Sequence, residues 1–293
     1  MTGFVALDKE AQLTSFFAAH LVGKILGEKK CGHTGTLDPN ATGVLPIALG
    51  GATRFISLLP DHTKRYEATF RTGLRTDTLD IWGTVTEQSG KTASPDEVQA
   101  VLPQFRGSIL QTPPMVSALK KDGVRLYDLA RQGIEVEREK RPCEVFSLEV
   151  TPLPSGDYTL VCECSAGTYI RSLVDDIGTA LGCGATLTAL RRTAACGVSV
   201  DRCVTLDDLR RAAADGGVSV LPTDELLAAY PAVTVTDGQA RRFANGGALM
   251  RDRVNCGDAP GYRRVYAPDG RFLGLGEVGQ NELTVKRVFR NDE

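Results

Sequence analysis

The stretch "GHTGTLDPNATGVLPIALGGATRF", residues 32–55, holds five glycines, two prolines and a single acid, Asp38. Asp38 stands between Leu37 and Pro39, with His33 five residues upstream. By composition the segment up to residue 51 reads as loop with short extended pieces, because glycine and proline punctuate helices and strands alike. An aspartate before a proline has an ordinary explanation as a turn former through Asx hydrogen bonding. "TLDP" on its own names no reaction.

On either side of this loop, helix and strand signals follow one another. Residues 3–8 alternate loosely, as a short strand does. "TSFFAAHLVGKILG" (14–27) predicts a helix capped by Thr14 or Ser15, with Phe17, Leu21 and Ile25 in its apolar stripe. "RYEATFRTGL" (65–74) alternates and places Tyr66, Ala68 and Phe70 on one face of a strand. Ser94-Pro-Asp-Glu starts another helix. Residues 112–142 open on a double proline and are rich in charge, so they predict an excursion from the main body with a short helix at Leu126–Arg131. Tyr158, Leu160, Cys162 and Cys164 alternate as a strand, and Ile170, Leu173, Val174, Ile177 and Leu181 then follow helical spacing up to Gly182 and Gly184. The corner between them, 165–169, is a common kind of place for a functional side chain. Arg171 falls in the first turn of that helix, where the dipole disfavours a cation; that hints at a specific acidic partner, against the default reading of a surface salt bridge. A helix over 205–214 follows. From about 232, short alternating strands and Gly-rich turns predict a separate small all-β domain.

Composition narrows the chemistry. The 293 residues are 42% hydrophobic and 24% charged, enough for a large domain with a small partner. No apolar run approaches the ~18–20 residues of a membrane span. The N-terminus lacks a basic segment followed by an apolar one, so the expectation is cytoplasmic. Eight cysteines form no C-x-x-C pair, and three histidines are too few to complete an obvious zinc set. The cysteines are expected as small apolar fillers, with no metal and no cofactor. A net charge of −2 is a mild argument against a nucleic-acid partner. It hides basic pairs such as Lys64-Arg65, Arg191-Arg192 and Arg263-Arg264, which are read as solvated surface unless they share a face.

Taken together, "GHTGTLDPNATGVLPIALGGATR", "KRYEATFRTGLRTDTLDIWG", "PPMVSALK" with "LYDLARQG", and "CSAGTYIRSLVDDIGTALGCGATLTALRRT" resemble the TruB-type tRNA pseudouridine synthases in order and spacing, over about residues 3–222. The C-terminal segment resembles that family's small RNA-binding module more weakly. The resemblance implies an α+β fold: a mixed, largely antiparallel sheet flanked by helices, with a small C-terminal all-β RNA-binding domain. The catalytic domain would span 1–230, with 112–142 as a mobile thumb, and the β-barrel-like domain 231–293.

The implied reaction is isomerisation of uridine to pseudouridine at position 55 of the tRNA T loop, with a flipped base. It needs one ionised nucleophile and no second acid, unlike a glycosidase with its paired carboxylates. An ordinary aspartate pKa near ~4 leaves the group ionised at neutral pH. By the resemblance, Asp38 is that nucleophile, Arg171 its orienting partner and Tyr66 the ring stacked on the target base. His33 holds the loop open, Leu190 gives an apolar contact, and Tyr169 and Lys9 are further substrate contacts. The implied partner is the T arm of tRNA, met by a monomer without other proteins. The N-terminal motif departs from the family pattern: "LDKEAQ" carries Glu10 and Gln12 where proline and glycine are usual.

Overall fold

Alternation along Tyr66–Phe70 and Tyr158–Cys164 buries one face of each strand, and the two pair at the centre of the main sheet. The computed structural model describes residues 1–290. Its main sheet comprises β1 (Gly3–Lys9), β2 (Cys31–His33), β3 (Thr42–Leu49), β4 (Lys64–Thr72), β5 (Gly107–Gln111), β6 (Arg141–Pro152), β7 (Tyr158–Cys164), β8 (Ala185–Ala195) and β9 (Val198–Ser199). The order is β1-β3-β8-β4-β7-β6-β5, with β2 on β3 and β9 on β8. Every ladder in it is antiparallel except β3 with β8, a two-pair parallel seam of Thr42 with Arg191 and Gly43 with Arg192. The fold is thus the mixed, largely antiparallel α+β arrangement expected.

The α-helices among the described residues are α1 (Ser15–Leu26), α2 (Pro95–Val101), α3 (Leu126–Arg131), α4 (Ile170–Ala180), α5 (Leu206–Ala214) and α6 (Asp237–Ala244). Thr14 caps α1 by accepting from the Phe17 N–H, and Gly27 ends it in the left-handed region at φ 69°. Ser94 and Glu97 form a reciprocal capping box on α2. α4 lays Leu173, Val174 and Ile177 on Tyr66, Phe70 and Leu160 of the sheet. Burying one such aliphatic side chain is worth roughly 1.5–3 kcal/mol. α1 and α5 cover β1 and β3 through Ala18, Val22, Leu206 and Leu209.

Three expectations need correction. The face α1 buries is Ser15, Ala18, Ala19, Val22 and Gly23, whereas Phe17 is 46% exposed and Phe16 79%. Small residues win that face because the helix lies close: a Cβ on Gly23 would fall 2.5 Å from Cys31 Sγ. Within 32–51, the run Thr42–Leu49 is a full strand, almost wholly buried. A strand covered on both faces reads as a continuous apolar run and gives no alternation to detect. In the C-terminal region β10 (Ala232–Thr234), β11 (Leu249–Met250), β12 (Gly261–Tyr266), β13 (Phe272–Val278) and β14 (Glu282–Val288) form a five-stranded sheet. The sheet carries one helix, α6, where only strands are expected, and its signal is the Thr236–Gln239 capping box. This sheet meets the first through Phe55, whose ring lies 6.0 Å from Phe272 and 5.9 Å from Phe289.

Gln12 adopts φ 67°, the left-handed conformation that suits the glycine usual there, and its side chain is exposed. A β-carbon in that region costs roughly 1–2 kcal/mol, partly offset by the greater freedom glycine has when unfolded. Gln12→Gly should therefore raise stability by about 0.5–1 kcal/mol, read as a higher urea midpoint at unchanged slope. A lower midpoint would mean that the Gln12 side chain stabilises the turn.

Candidate active site

The loop between β2 and β3 presents Asp38, and three buried groups hold its backbone. Ser15 Oγ donates to the Leu37 carbonyl at 3.0 Å and accepts from the Leu37 N–H at 2.7 Å. Lys9, wholly buried, donates through Nζ to the carbonyls of Glu10, Leu13 and Pro39 at 2.8, 2.8 and 3.0 Å. Arg192, also wholly buried, donates to the carbonyls of Val44, Gly35 and Thr36. At the seam Gly43 sits at φ 104°, and a Cβ there would lie 2.1 Å from the Arg192 carbonyl oxygen. Only glycine lets β3 reach β8 at that point.

The Asp38 carboxylate, 39% exposed, meets the fork of Arg171, which is only 3% exposed. Arg171 Nε donates to Oδ2 at 2.9 Å and Nη2 to Oδ1 at 3.0 Å, a bidentate pair. The same guanidinium donates from Nη1 to the Thr78 carbonyl at 3.0 Å and from Nη2 to the Val116 carbonyl at 2.8 Å. The acidic partner expected of Arg171 is thus Asp38, 133 residues away. Gln111 fixes the start of α4: its side chain accepts from the Tyr169 N–H at 3.0 Å and donates to the Tyr169 carbonyl at 3.3 Å.

A cavity of about 50 Å³ opens at this pair, lined by Asp38, Asp80, Trp82, Val116, Arg171 and Leu190 among others. Its size suits one or two waters, at about 30 Å³ each. Leu190, on β8, is in the wall. Tyr66 is 6% exposed and is not among the lining residues. It lies on β4 between Cys162 and Arg192, where burial pushes its phenol up to about 12 against the Arg192 guanidinium. His33, on β2, is half-buried with Nδ1 unpartnered among the described residues, and burial followed by Arg192 lowers its pKa. Burial raises the Tyr169 phenol. The Lys9 ammonium faces backbone carbonyls, so what the structure displays for it is loop support.

Two sequence expectations are overturned here. Asp38 is not an isolated acid, because Asp80 lines the same cavity. The turn that carries it docks on β8, with the Ile81 N–H donating to the Leu187 carbonyl at 2.8 Å. Asp80 accepts from Thr78 Oγ1 at 2.7 Å and from the Trp82 N–H at 3.2 Å, and burial raises its pKa. A missing second acid therefore does not separate isomerase from hydrolase. The basic pairs are also partly internal. Arg192 is in the core, Arg191 pairs with Asp8 at 2.7 Å, and Arg263 is 5% exposed with donations to three carbonyls. Sequence reasoning missed the site roles of Ser15, Gln111, Asp80 and Arg192; Asp80 and Arg192 lie inside quoted motifs, but nothing local shows where their side chains go.

The model is similar to a chain of a crystallised Cbf5–Nop10–Gar1 complex, with TM-score 0.76 and 26% identity over 98% of this chain and 85% of that one. A second similar structure is a chain of an H/ACA RNP bound to a substrate RNA containing 2'-deoxyuridine, at TM-score 0.74 and 25% identity, with the same coverage. Family models match in sequence along the chain: TruB family pseudouridylate synthase, N-terminal domain, over 23–170; tRNA pseudouridylate synthase B C-terminal domain over 171–228; and pseudouridine synthase II TruB, C-terminal, over 231–289. Proteins named tRNA pseudouridine synthase B from Stutzerimonas stutzeri and Aromatoleum aromaticum are 41% and 43% identical, over 100% and 98% of this chain and 97% and 92% of their own lengths. The chain belongs to the TruB family of pseudouridylate synthases and is an isomerase. No described helix is long and apolar enough to cross a membrane.

Burial lowers the Lys9 pKa to about 8 from the ordinary 10.5. Between these values the unfolded chain binds the extra proton, so this residue's contribution to stability rises with pH. Loop geometry moves the other way, because a neutral amine has two N–H groups for three carbonyls. Turnover should fall as pH rises through about 8 without a matching loss of melting temperature. A turnover profile that stays level well above pH 8 would remove Lys9 from the support of Asp38.

Proposed function

We propose that this enzyme converts uridine 55 in the T loop of tRNA to pseudouridine, with Asp38 as nucleophile and the target base flipped into the Asp38 cavity. The bidentate Arg171–Asp38 pair carries this reading: it aims a carboxylate into a cavity walled mainly by apolar side chains. The names of the curated relatives point to tRNA as substrate. The reaction breaks the bond from sugar to N1, turns the base, joins C5 to the sugar and gives the C5 proton to solvent. Leu190 flanks the base from the cavity wall, and His33 offers a neutral ring to the vacated stack; Tyr66, buried on β4 behind the cavity, and Tyr169 reach the base only if RNA binding opens the site further. Lys9 supports the loop, and Asp80 holds the opposite turn within the field of Arg171.

Flipping a nucleotide costs a few kcal/mol, and one or two aromatic stacks at ~1–3 kcal/mol each offset it. Val116 lines the cavity and its carbonyl is bonded to Arg171, so a base entering beside Asp38 meets this segment. This supports residues 112–142 as a thumb that moves on RNA binding. The catalytic domain is taken as 1–230 with the smaller RNA-binding domain after it, and a single chain in the cytoplasm suffices.

The test is tritium release from a tRNA transcript labelled at uridine C5. Wild type should release label from one site per tRNA, position 55, and Asp38→Asn should release none while still binding tRNA. Arg171→Ala should lower turnover at least 100-fold and tRNA affinity less than tenfold, in line with the typical effect of removing one preorganised catalytic partner, roughly 3–4 kcal/mol. Tight binding with no release by wild type would leave an RNA-binding protein only, and release of free uracil would point to a hydrolase.

A further inference from the structure

We propose that Trp82 is a further RNA contact, its indole stacking on a nucleotide next to the one that enters the Asp38 cavity. Trp82 is the chain's only tryptophan and is 52% exposed. Tryptophan is highly buried on average, so an indole left in water asks for an explanation. Trp82 lines the cavity with Asp38, Arg171 and Leu190. Its neighbour Ile81 is 38% exposed, which extends the apolar rim.

The segment beneath it is rigid. The Asp77 N–H donates to the Thr84 carbonyl at 3.0 Å, the Gly83 N–H to the Asp80 carbonyl at 3.2 Å, and the Thr84 N–H to Asp77 Oδ1 at 2.8 Å. The Ile81 and Leu187 N–H groups bond the turn to β8 from both sides, and Arg171 holds it through the Thr78 carbonyl. Leu79 is held in the left-handed region at φ 64°, a strained conformation that the surrounding bonds enforce. Trp82 is therefore fixed relative to Asp38 by the same guanidinium that orients the carboxylate. A preorganised ring loses little freedom on stacking. RNA loops offer unstacked bases, and every base has a π-face for an aromatic platform. The hydrogen bond at this position is made by the backbone, the Trp82 N–H donating to Asp80 Oδ1.

This inference rests on the tRNA reading, so the experiment separates the two. Full-length Asp38→Asn protein is titrated with a T-arm RNA hairpin while the emission of its sole tryptophan and the quenching of that emission by acrylamide are followed. Wild type, Trp82→Ala and Trp82→Phe are compared in steady-state pseudouridine formation on tRNA. RNA should change the emission and shield it from acrylamide. Trp82→Ala should raise KM roughly 5- to 150-fold, the range of one base–aromatic stack, and lower kcat by less, with Trp82→Phe recovering most of the loss. Unchanged emission and quenching of the Asp38→Asn protein at saturating RNA, while wild type forms pseudouridine, would overturn this inference alone. So would a KM for Trp82→Ala within twofold of wild type, or a loss confined to kcat. Protection by a protein partner but not by RNA would make the indole a protein-docking surface. Wild type that forms no pseudouridine would overturn both readings.

Discussion

The Arg171 guanidinium is the constraint on which the site depends. It is nearly sealed from solvent and donates to Asp38, to the Thr78 carbonyl and to the Val116 carbonyl. A charge in that position survives only if its donors find partners, because the desolvation of an unpaired ion exceeds what packing returns. The requirement runs both ways. The three loops must converge to satisfy the cation, and the cation fixes where they stand relative to one another. A lysine could supply the charge but not the planar fork that takes two carboxylate oxygens and two carbonyls together.

The same device recurs with backbone in place of carboxylate. Lys9 and Arg192 are wholly buried and donate to carbonyls on or beside the Asp38 loop. Loop carbonyls turned inward would otherwise lose water without replacement, at roughly 1–3 kcal/mol each. Interior cations thus allow an irregular, glycine-rich segment to be as fixed as a strand. Because some of its basic residues build the site from inside, the net charge of −2 says little about the distribution of charge on the face the RNA meets.

Much of the framework was legible in the sequence because it is written in local chemistry. Thr14 and Gly27 bound α1, Ser94 and Glu97 start α2, and the change of period at 165–169 marks the corner before α4. Asp38, Arg171 and Leu190 could be picked out by long motifs, and the structure brings them to one cavity. What stayed hidden depends on contacts across the chain. Neither the meeting of Asp80 with Asp38 nor the inward turn of Arg192 has a local signature. The buried face of α1 was misread because volume, not hydrophobicity, decides it: alanine and glycine let the helix approach the sheet, and the two phenylalanines that dominate the pattern face outward. Strand β3 escaped detection because it is covered on both sides.

The parallel seam between β3 and β8 has a bearing on how the molecule comes into being. The loop with Asp38 leaves the ribosome early, together with Lys9 and Ser15. Arg171 lies 133 residues further along than Asp38, and Arg192 lies 157 beyond Gly35. Contacts of such separation form late, after the entropy of closing the intervening chain has been overcome. A nascent or truncated polypeptide ending before residue 171 carries the carboxylate without either guanidinium. The carboxylate–guanidinium pair is therefore tied to completion of the sheet: it forms in the step that joins the two halves of the chain.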